Sequence, residues 1–290
     1  MSRFVVLGAT GHIGSAVVQS LVEAGESAIA IVRSREHAHR IAGPSVEIRI
    51  VDAMDSEGLH KIFREAKRAF LLNPPADPSF DTDAREMATA KSIANAVNGS
   101  GLEKVVVVST YGAQLGEKIG DLSVLYEFEQ MIEAAGVPCA INRGAYYLTN
   151  LDSLLEPARN GMITSPYPAG LKMPMVAPLD LGRAAARRLM SPVTDIGIHY
   201  VEGPQRYSFW DVAQSFSSVL SRPVELQRIP RDEIESSFRK LGFSLEAAQA
   251  YARMTKVTMD RGFDTPDNVE RCVTSLWDYI TMLVQRASRL

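Results

Sequence analysis

The chain has few cysteines, no excess of positive charge and no long apolar run, and each absence excludes a class of protein. Its 290 residues include two cysteines, Cys139 and Cys272, which lie far apart and outside any CxxC or histidine cluster. This pattern excludes a disulfide framework and offers no metal-binding motif, so we interpret both as reduced core thiols and expect no metal. A net charge of −3 provides no basic surface for nucleic acid or an anionic membrane.

Hydrophobic residues are plentiful but interrupted. They make up 46% of the chain, yet no run reaches the roughly 18 consecutive apolar residues of a membrane-spanning helix. The apolar run near the start, Phe4–Leu7, is too short for a signal peptide. We therefore expect a cytoplasmic globular protein with a large core, a small-molecule ligand and no membrane partner.

The first half of the sequence alternates short apolar runs with helical periodicity. Apolar runs predict strands at Phe4–Leu7, Ala28–Val32, Val46–Val51, Ala69–Leu72, Val105–Val108 and Cys139–Ile141. Helical patterns between them cover Ser15–Ala24, Arg35–Ile41, Glu57–Ala66, Ala84–Asn98 and Leu122–Ala135. Apolar runs without polar alternation are typical of parallel strands covered on both faces, so we predict an α/β fold with a doubly wound parallel sheet.

The regular alternation of strand and helix patterns ends near residue 150. The stretch from Gly161 to Pro178 is rich in glycine and proline. The remainder has a strand near Ile198–Val201 and several helical patterns, one of which covers Leu245–Met254. We therefore predict a core over residues 1–150 and a smaller, mostly helical substrate region over 151–290, partly interleaved with the core.

A glycine-rich segment joins the first predicted strand to the first predicted helix, and it reads Gly8-Ala9-Thr10-Gly11-His12-Ile13-Gly14. Glycines allow a tight turn, close approach of the backbone to a pyrophosphate, and close packing of helix on strand. The free N–H groups at the start of a helix attract phosphate. The order of strand, glycine turn and helix is that of a Rossmann-type dinucleotide site. We therefore predict that the cofactor contacts Gly8, Thr10, Gly11, His12, Ile13 and Gly14.

Arg33 follows the second predicted strand. NAD-binding proteins usually carry an acidic residue here for the ribose 2′-hydroxyl, and a carboxylate would repel a 2′-phosphate. A guanidinium pairs with that phosphate through charge-assisted hydrogen bonds. Arg33 therefore predicts NADP(H) in preference to NAD(H), although a solvated arginine at a strand end is the alternative.

The spacing GxxGxxG in Gly8–Gly14 resembles the extended and atypical members of the short-chain dehydrogenase/reductase superfamily. The resemblance implies that Asp52, after the third strand, contacts the adenine edge. A helix cap or turn is the alternative role for Asp52. Asn73, which ends the fourth strand, is expected beside the cofactor, although Asn-Pro is also an ordinary turn.

The catalytic tyrosine and lysine of that superfamily, Tyr-x-x-x-Lys, are not preserved. Tyr126 is followed by a glutamine where the lysine would stand, and a register based on Glu129 puts Asp121 and Leu125 at the two positions. Ser109 lies where the superfamily has its active-site serine, so we expect it near the cofactor and the substrate oxygen. The candidate catalytic residues are Ser109, Tyr111 and Tyr126, with core or pocket packing as the alternative for both tyrosines.

A second group of motifs comprises Asn142-Arg143-Gly144-Ala145-Tyr146-Tyr147-Leu148-Thr149-Asn150 after the sixth strand, Pro178–Ala185 at a helix start and Glu202–Ser208 before another helix. Together these motifs resemble the NmrA-like family. Tyr111, Tyr146, Tyr147 and Asn150 are the candidate residues of a pocket for a flat substrate.

The resemblance implies two main functions. The first is an NADPH-dependent oxidoreductase that transfers hydride to a small conjugated acceptor such as a quinone, for which no strong general acid is obligatory. The second is a dinucleotide-binding redox sensor that acts through a protein partner without turnover. A sugar-nucleotide epimerase is disfavoured because the tyrosine and lysine positions are altered.

Overall fold

The computed structural model describes residues 4–36 and 38–288. The strands are β1 Phe4–Leu7, β2 Ala28–Val32, β3 Val46–Ile50, β4 Arg68–Leu72, β5 Lys104–Thr110, β6 Cys139–Gly144, β7 Tyr146–Tyr147, β8 Met162–Ser165, β9 Met173–Val176, β10 Gly197–Glu202, β11 Arg206–Tyr207, β12 Glu225–Arg228 and β13 Val269–Arg271. The helices are α1 His12–Glu23, α2 Ser56–Phe63, α3 Thr82–Val97, α4 Asp121–Ala134, α5 Leu155–Arg159, α6 Pro178–Met190, α7 Phe209–Leu220, α8 Ile234–Lys240, α9 Leu245–Arg261 and α10 Leu276–Ala287. Short 3₁₀ segments cover Ala38–Arg40 and Leu148–Leu154.

The central sheet has the predicted doubly wound architecture. Within the described residues, eight strands pair in the order β13-β10-β6-β5-β4-β1-β2-β3. Every neighbouring pair in this sheet is parallel. The strand order reverses between β1 and β4, and in open α/β sheets ligands bind outside the carboxyl ends of the strands at such a point. The topology therefore places a binding crevice beside the glycine segment.

Two apolar layers cover the faces of this sheet. Phe4 and Val6 of β1 pack toward α1 and α6, whereas Val5 and Leu7 pack toward α2, α3 and α4. Successive residues of a strand point to opposite faces, so a strand covered on both sides must be apolar throughout. This requirement explains why the strand runs of the first half lack polar alternation.

The segment 151–290 contributes to two parts of the molecule. Strands β10 and β13 extend the central sheet, and α6 packs on α1. The remainder encloses a third apolar cluster built from β9, α7 and α10. Strands β11 and β9 form a small sheet with β7, which precedes this segment, and β12 pairs with β8 in another.

Three local predictions need correction. Helix α1 begins at His12, three residues before the predicted start at Ser15, because Gly14 lies inside its first turn. The predicted helix Arg35–Ile41 is wrong: the described part contains a single 3₁₀ turn at Ala38–Arg40, and His37 lies outside the described residues. Helix α9 extends to Arg261, beyond the predicted Met254. Among the described residues, no helix is both long and apolar enough to span a bilayer.

Candidate functional site

The glycine segment forms a turn at the carboxyl end of β1. Gly8 has a φ of +67°, a left-handed conformation that side chains disfavour. Gly11 is exposed and precedes α1 as its N-cap. Gly14 is buried in the first turn of α1, and a Cβ there would collide with the carbonyl oxygen of Gly8. Gly8 and Gly14 therefore shape the turn, and Gly11 leaves its outer side open.

The N-terminus of α1 presents uncompensated N–H groups at this turn. Its N-cap, Gly11, has no side chain to accept a hydrogen bond. The first turn of α1, all of whose residues are described, holds no acidic side chain. The first N–H groups of a helix have no partner inside the helix and carry the positive end of its dipole. The turn therefore has the electrostatics of an anion site.

A cleft of about 950 Å³ opens above the glycine turn. Its lining comes from the ends of several parallel strands and the loops after them. Of the predicted cofactor residues, the cleft is lined by Gly8, Thr10, Gly11, His12, Ile13, Arg33, Asp52 and Asn73. Gly14 is absent from the described lining of the cleft, since it packs against the turn instead. The carboxyl ends of β1, β2, β3 and β4 thus meet at one site.

Arg33 and Asp52 lie on the outer side of this cleft, and both are exposed. The Oδ1 atom of Asp52 accepts a hydrogen bond from the backbone N–H of Met54 at 2.8 Å. This contact fixes the turn after β3 and leaves the second carboxylate oxygen of Asp52 available to a ligand. Arg33 supplies the positive charge at the end of β2.

The segment Asn73–Asp77 forms one wall of the cleft. The Nδ2 group of Asn73 donates to the backbone oxygen of Glu86 at 3.0 Å. The backbone N–H of Ala76 donates to Oε1 of Glu86 at 2.8 Å. Glu86 itself is buried on α3. The sequence analysis did not identify Glu86, because no local pattern marks a buried acid that supports a loop.

The inner end of the cleft is lined largely by apolar groups. Val108 of β5 and Leu125 of α4 lie here with Tyr147, and Thr149, Asn150 and Pro178 complete this end. Leu125 is the residue that the alignment based on Glu129 predicts at the position of the catalytic lysine. Burial raises the pKa of Tyr147, and the nearby Asp121 raises it further. Tyr147 is therefore a neutral phenol across the usual pH range.

The other predicted pocket and catalytic residues lie outside the described cleft lining. Tyr146 packs in the third apolar cluster, with its ring edge-on to Phe209 at 6.2 Å. Tyr111 is 3% exposed, and its ring packs edge-on against Tyr200 at 4.8 Å. Burial and the charge of Glu202 raise the pKa of Tyr111. The geometry thus assigns packing contacts to Tyr111 and Tyr146.

Two further candidate catalytic residues are also absent from that lining. Ser109 is fully buried at the end of β5, and its hydroxyl has no hydrogen-bond partner among the described residues. Tyr126 is half-buried on α4, one position after Leu125. The cleft lining therefore brings together most predicted cofactor residues but neither Ser109, Tyr111 nor Tyr126.

Two solved structures share this fold over almost their whole length. One is the NADPH-dependent quinone oxidoreductase of Escherichia coli in complex with NADPH, with a TM-score of 0.81, 19% identity, and coverage of 97% of this chain and 100% of that chain. The other is the triphenylmethane reductase of Citrobacter sp. in complex with NADP(H), with a TM-score of 0.79, 23% identity, and coverage of 97% and 99%.

Sequence comparison agrees with the structural comparison. The NAD(P)H azoreductase of Xenophilus azovorans is 24% identical over 247 residues, which are 85% of this chain and 84% of that protein. The family model of the NmrA-like family matches residues 1–280. Because this match spans nearly the whole chain, the resemblance in the sequence motifs is confirmed and the chain belongs to the NmrA-like family.

Proposed function

We propose that this protein is a reductase that transfers hydride from NADPH to a small conjugated acceptor such as a quinone. The observation that carries the proposal is the shape of the cleft. It runs from the glycine turn to an inner end at Leu125 and Tyr147. A dinucleotide held by its phosphates at the turn would direct its other half toward that end.

The residues of the outer cleft fit a dinucleotide. The bare N-cap Gly11 and the N–H groups of α1 suit the pyrophosphate. Asp52, on the loop after β3, suits the adenosine. Arg33 suits a 2′-phosphate, because a guanidinium forms charge-assisted hydrogen bonds with phosphate oxygens. The first two features support a dinucleotide, and Arg33 alone supports NADPH over NADH.

The inner end supports acceptors that need little acid catalysis. When bound, reduced nicotinamide supplies a hydride, and the acceptor takes up one further proton to complete its reduction. Neither alignment of the sequence keeps the tyrosine and lysine with which related dehydrogenases protonate unactivated carbonyls: Gln130 replaces the lysine after Tyr126, or Asp121 and Leu125 replace both. A quinone spreads the arriving charge over its ring, so water can protonate the product and placement alone contributes most of the rate.

The names of similar proteins support the same class of acceptor. The three relatives above are named as reductases of azo compounds, a quinone and triphenylmethane compounds. Azo, quinone and triphenylmethane groups are all conjugated. Leu125 and Tyr147 offer this chain an apolar surface and a ring face for such a molecule.

The test follows loss of NADPH absorbance with benzoquinone, naphthoquinone, a simple aliphatic ketone and no acceptor. We expect turnover with the quinones and none with the ketone, since positioned proton transfer contributes about 10²–10⁴-fold to rates that need it. The Gly11→Val variant is the matched control, because its side chain would enter the phosphate turn and leave only the uncatalysed rate.

Two results would contradict the proposal. Catalysis with the ketone but not with quinones would mean that a proton donor operates in the cleft, and would return attention to Tyr111 and Tyr126. Tight binding of NADPH without turnover of any acceptor would favour the redox sensor that acts through a protein partner.

A further inference from the structure

Two carboxyl groups, one of a buried residue and one of a half-buried residue, meet behind the cleft wall Asn73–Asp77. Glu86 on α3 is 4% exposed, and Asp121 is the first residue of α4. The two carboxyl groups lie within hydrogen-bonding distance of each other. Carboxylates accept hydrogen bonds but cannot donate them, so this contact requires a proton on one of the pair. The geometry therefore describes a carboxylic acid bonded to a carboxylate.

The surroundings favour retention of that proton. Burial raises the pKa of Glu86 to about 8, and the negative charge of Asp121 adds to the rise. Burial also raises the pKa of Asp121. Two like charges in a buried site cannot both ionise cheaply, as in other carboxyl dyads. At neutral pH the pair therefore carries one proton and one negative charge.

Other titratable groups lie around the pair on the neighbouring elements. Asp83 on α3 accepts a hydrogen bond from the N–H of Gly120 at 3.3 Å, and burial raises its pKa. Lys118 and Arg253 lower the pKa of Asp83, and Asp81 raises it. Tyr251 on α9 lies near both carboxyl groups of the pair, and Tyr147 at the cleft lies near Asp121.

Glu86 ties the cleft wall to α3. Pro74 and Pro75 have no backbone N–H, so this part of the wall has few donors with which to attach itself. Two donors lie beside the prolines: the side chain of Asn73 donates to the backbone oxygen of Glu86, and the N–H of Ala76 donates to its carboxyl oxygen Oε1. Movement of the Glu86 carboxyl group would therefore be transmitted directly to Ala76, which lines the cleft.

We propose that Glu86 is a positioning residue for the cofactor: the proton that it shares with Asp121 holds the wall Asn73–Asp77 in place, and loss of that proton weakens NADPH binding. The inference rests on the proposed function, because it takes NADPH as the ligand of this cleft. Loss of the proton leaves two negative charges that repel each other beside the wall. It also adds a negative charge near an anionic cofactor.

The stability of the fold depends on pH through the same proton. A carboxyl group whose pKa is raised in the folded state binds its proton more tightly there than in the unfolded chain. Its contribution to stability is fully present below the pKa of the unfolded chain, near 4.5, and is lost as the pH rises through about 8. The proton therefore supports both the fold and the wall at neutral pH.

The experiment measures the Kd of NADPH between about pH 7 and pH 9.5, where the cofactor phosphates stay in one ionisation state. We expect the wild-type Kd to rise about tenfold with a midpoint near pH 8. The Glu86→Gln variant should give a flat profile, because its amide accepts from Ala76 and donates to Asp121 at every pH. In kinetics, the KM for NADPH should rise with pH while kcat at saturation stays constant.

Two further variants test whether the pH dependence of NADPH binding arises from the Glu86–Asp121 pair or from any charge on the wall. Asp77 is exposed on the same wall, and hydrogen bonds from Ser79 lower its pKa, so it stays ionised throughout the range. Asp77→Asn therefore removes a charge from the wall but should keep the inflection near pH 8. Asp121→Asn should move the inflection to lower pH, because its amide donates to ionised Glu86. This variant also serves if Glu86→Gln fails to fold.

A pH-independent Kd in a wild-type protein that binds NADPH would overturn this inference alone. Persistence of the inflection in Glu86→Gln, or its unchanged midpoint in Asp121→Asn, would do the same. A wild-type protein that binds no NADPH at any pH would overturn the proposed function, and with it the role of Glu86 toward the cofactor.

Discussion

Replacement of Arg33 by alanine tests the cofactor preference most directly. Arg33 lies at the end of β2, is exposed, and lines the outer cleft. In the proposed complex its guanidinium meets the 2′-phosphate, which NADH lacks. The Arg33→Ala variant should therefore weaken NADPH binding and leave NADH binding nearly unchanged.

The size of the loss follows from the exposure of Arg33. A hydrogen bond to a charged group contributes about 1.5–3 kcal/mol. Two unit charges about 4 Å apart attract by about 1 kcal/mol in water and about 4 kcal/mol near a protein surface. Because Arg33 is open to solvent, the lower part of these ranges applies. We expect a loss of about 1.5–2 kcal/mol, or about 10- to 30-fold in Kd.

Fluorescence titration with NADPH and NADH would measure this loss. Arg35 is the matched control, since it is also exposed but is not part of the described cleft lining. Arg35→Ala should bind both cofactors much as the wild type does. The effect of Arg33→Ala should shrink in about 1 M salt, where the Debye length is about 3 Å. An equal loss for NADPH and NADH would refute a contact between Arg33 and the 2′-phosphate.

Three other substitutions test the turn and the core. Gly11→Val should abolish NADPH binding, because its side chain would enter the phosphate turn. The variant should still fold, because the one close neighbour of a Cβ at Gly11 is the Gly8 oxygen at 3.3 Å. Gly14→Ala should instead lower the melting temperature, because its Cβ would collide with that oxygen. Unchanged NADPH affinity in Gly11→Val would show that the phosphate site is elsewhere. Glu129 accepts two hydrogen bonds from Arg143, at 2.9 and 2.6 Å, and both residues are buried. Glu129→Leu should therefore leave a buried cation without its partner and lower the free energy of unfolding, measured in denaturant melts, by about 3–5 kcal/mol. Adding Arg143→Met should recover much of that loss, and a single variant as stable as the wild type would contradict the reasoning.

Local sequence patterns predicted the strands of the sheet well, but they predicted the ends of helices less well. Strands β1 and β2 have the predicted bounds, because unbroken apolar runs between turn residues have few alternatives in an α/β chain. Helix α1 begins earlier than predicted. The glycine pattern predicts that Gly14 belongs to the turn, but Gly14 packs inside the helix. The predicted helix Arg35–Ile41 is wrong, since its described part forms a single 3₁₀ turn at Ala38–Arg40.

The inner cleft and the roles of the tyrosines depended on distant contacts. Leu125, Thr149 and Pro178 come from separate segments and meet only when the sheet is complete. Tyr111 follows β5 like a site residue, but Tyr200 on β10 packs against its ring. The local residue pattern around Tyr111 does not show that a strand almost 90 residues later in the chain will cover its ring.

The sequence by itself determined the fold class, the family and the glycine turn, since these depend on residue types at short spacing: apolar runs for buried strands, and glycines where the backbone turns and packs closely. Only the tertiary structure decided which side chains line the cleft and that Glu86 meets Asp121 behind its wall. The physical reason is that burial, side-chain direction and the pairing of charges are set by neighbours far away in the chain, which residue spacing does not encode.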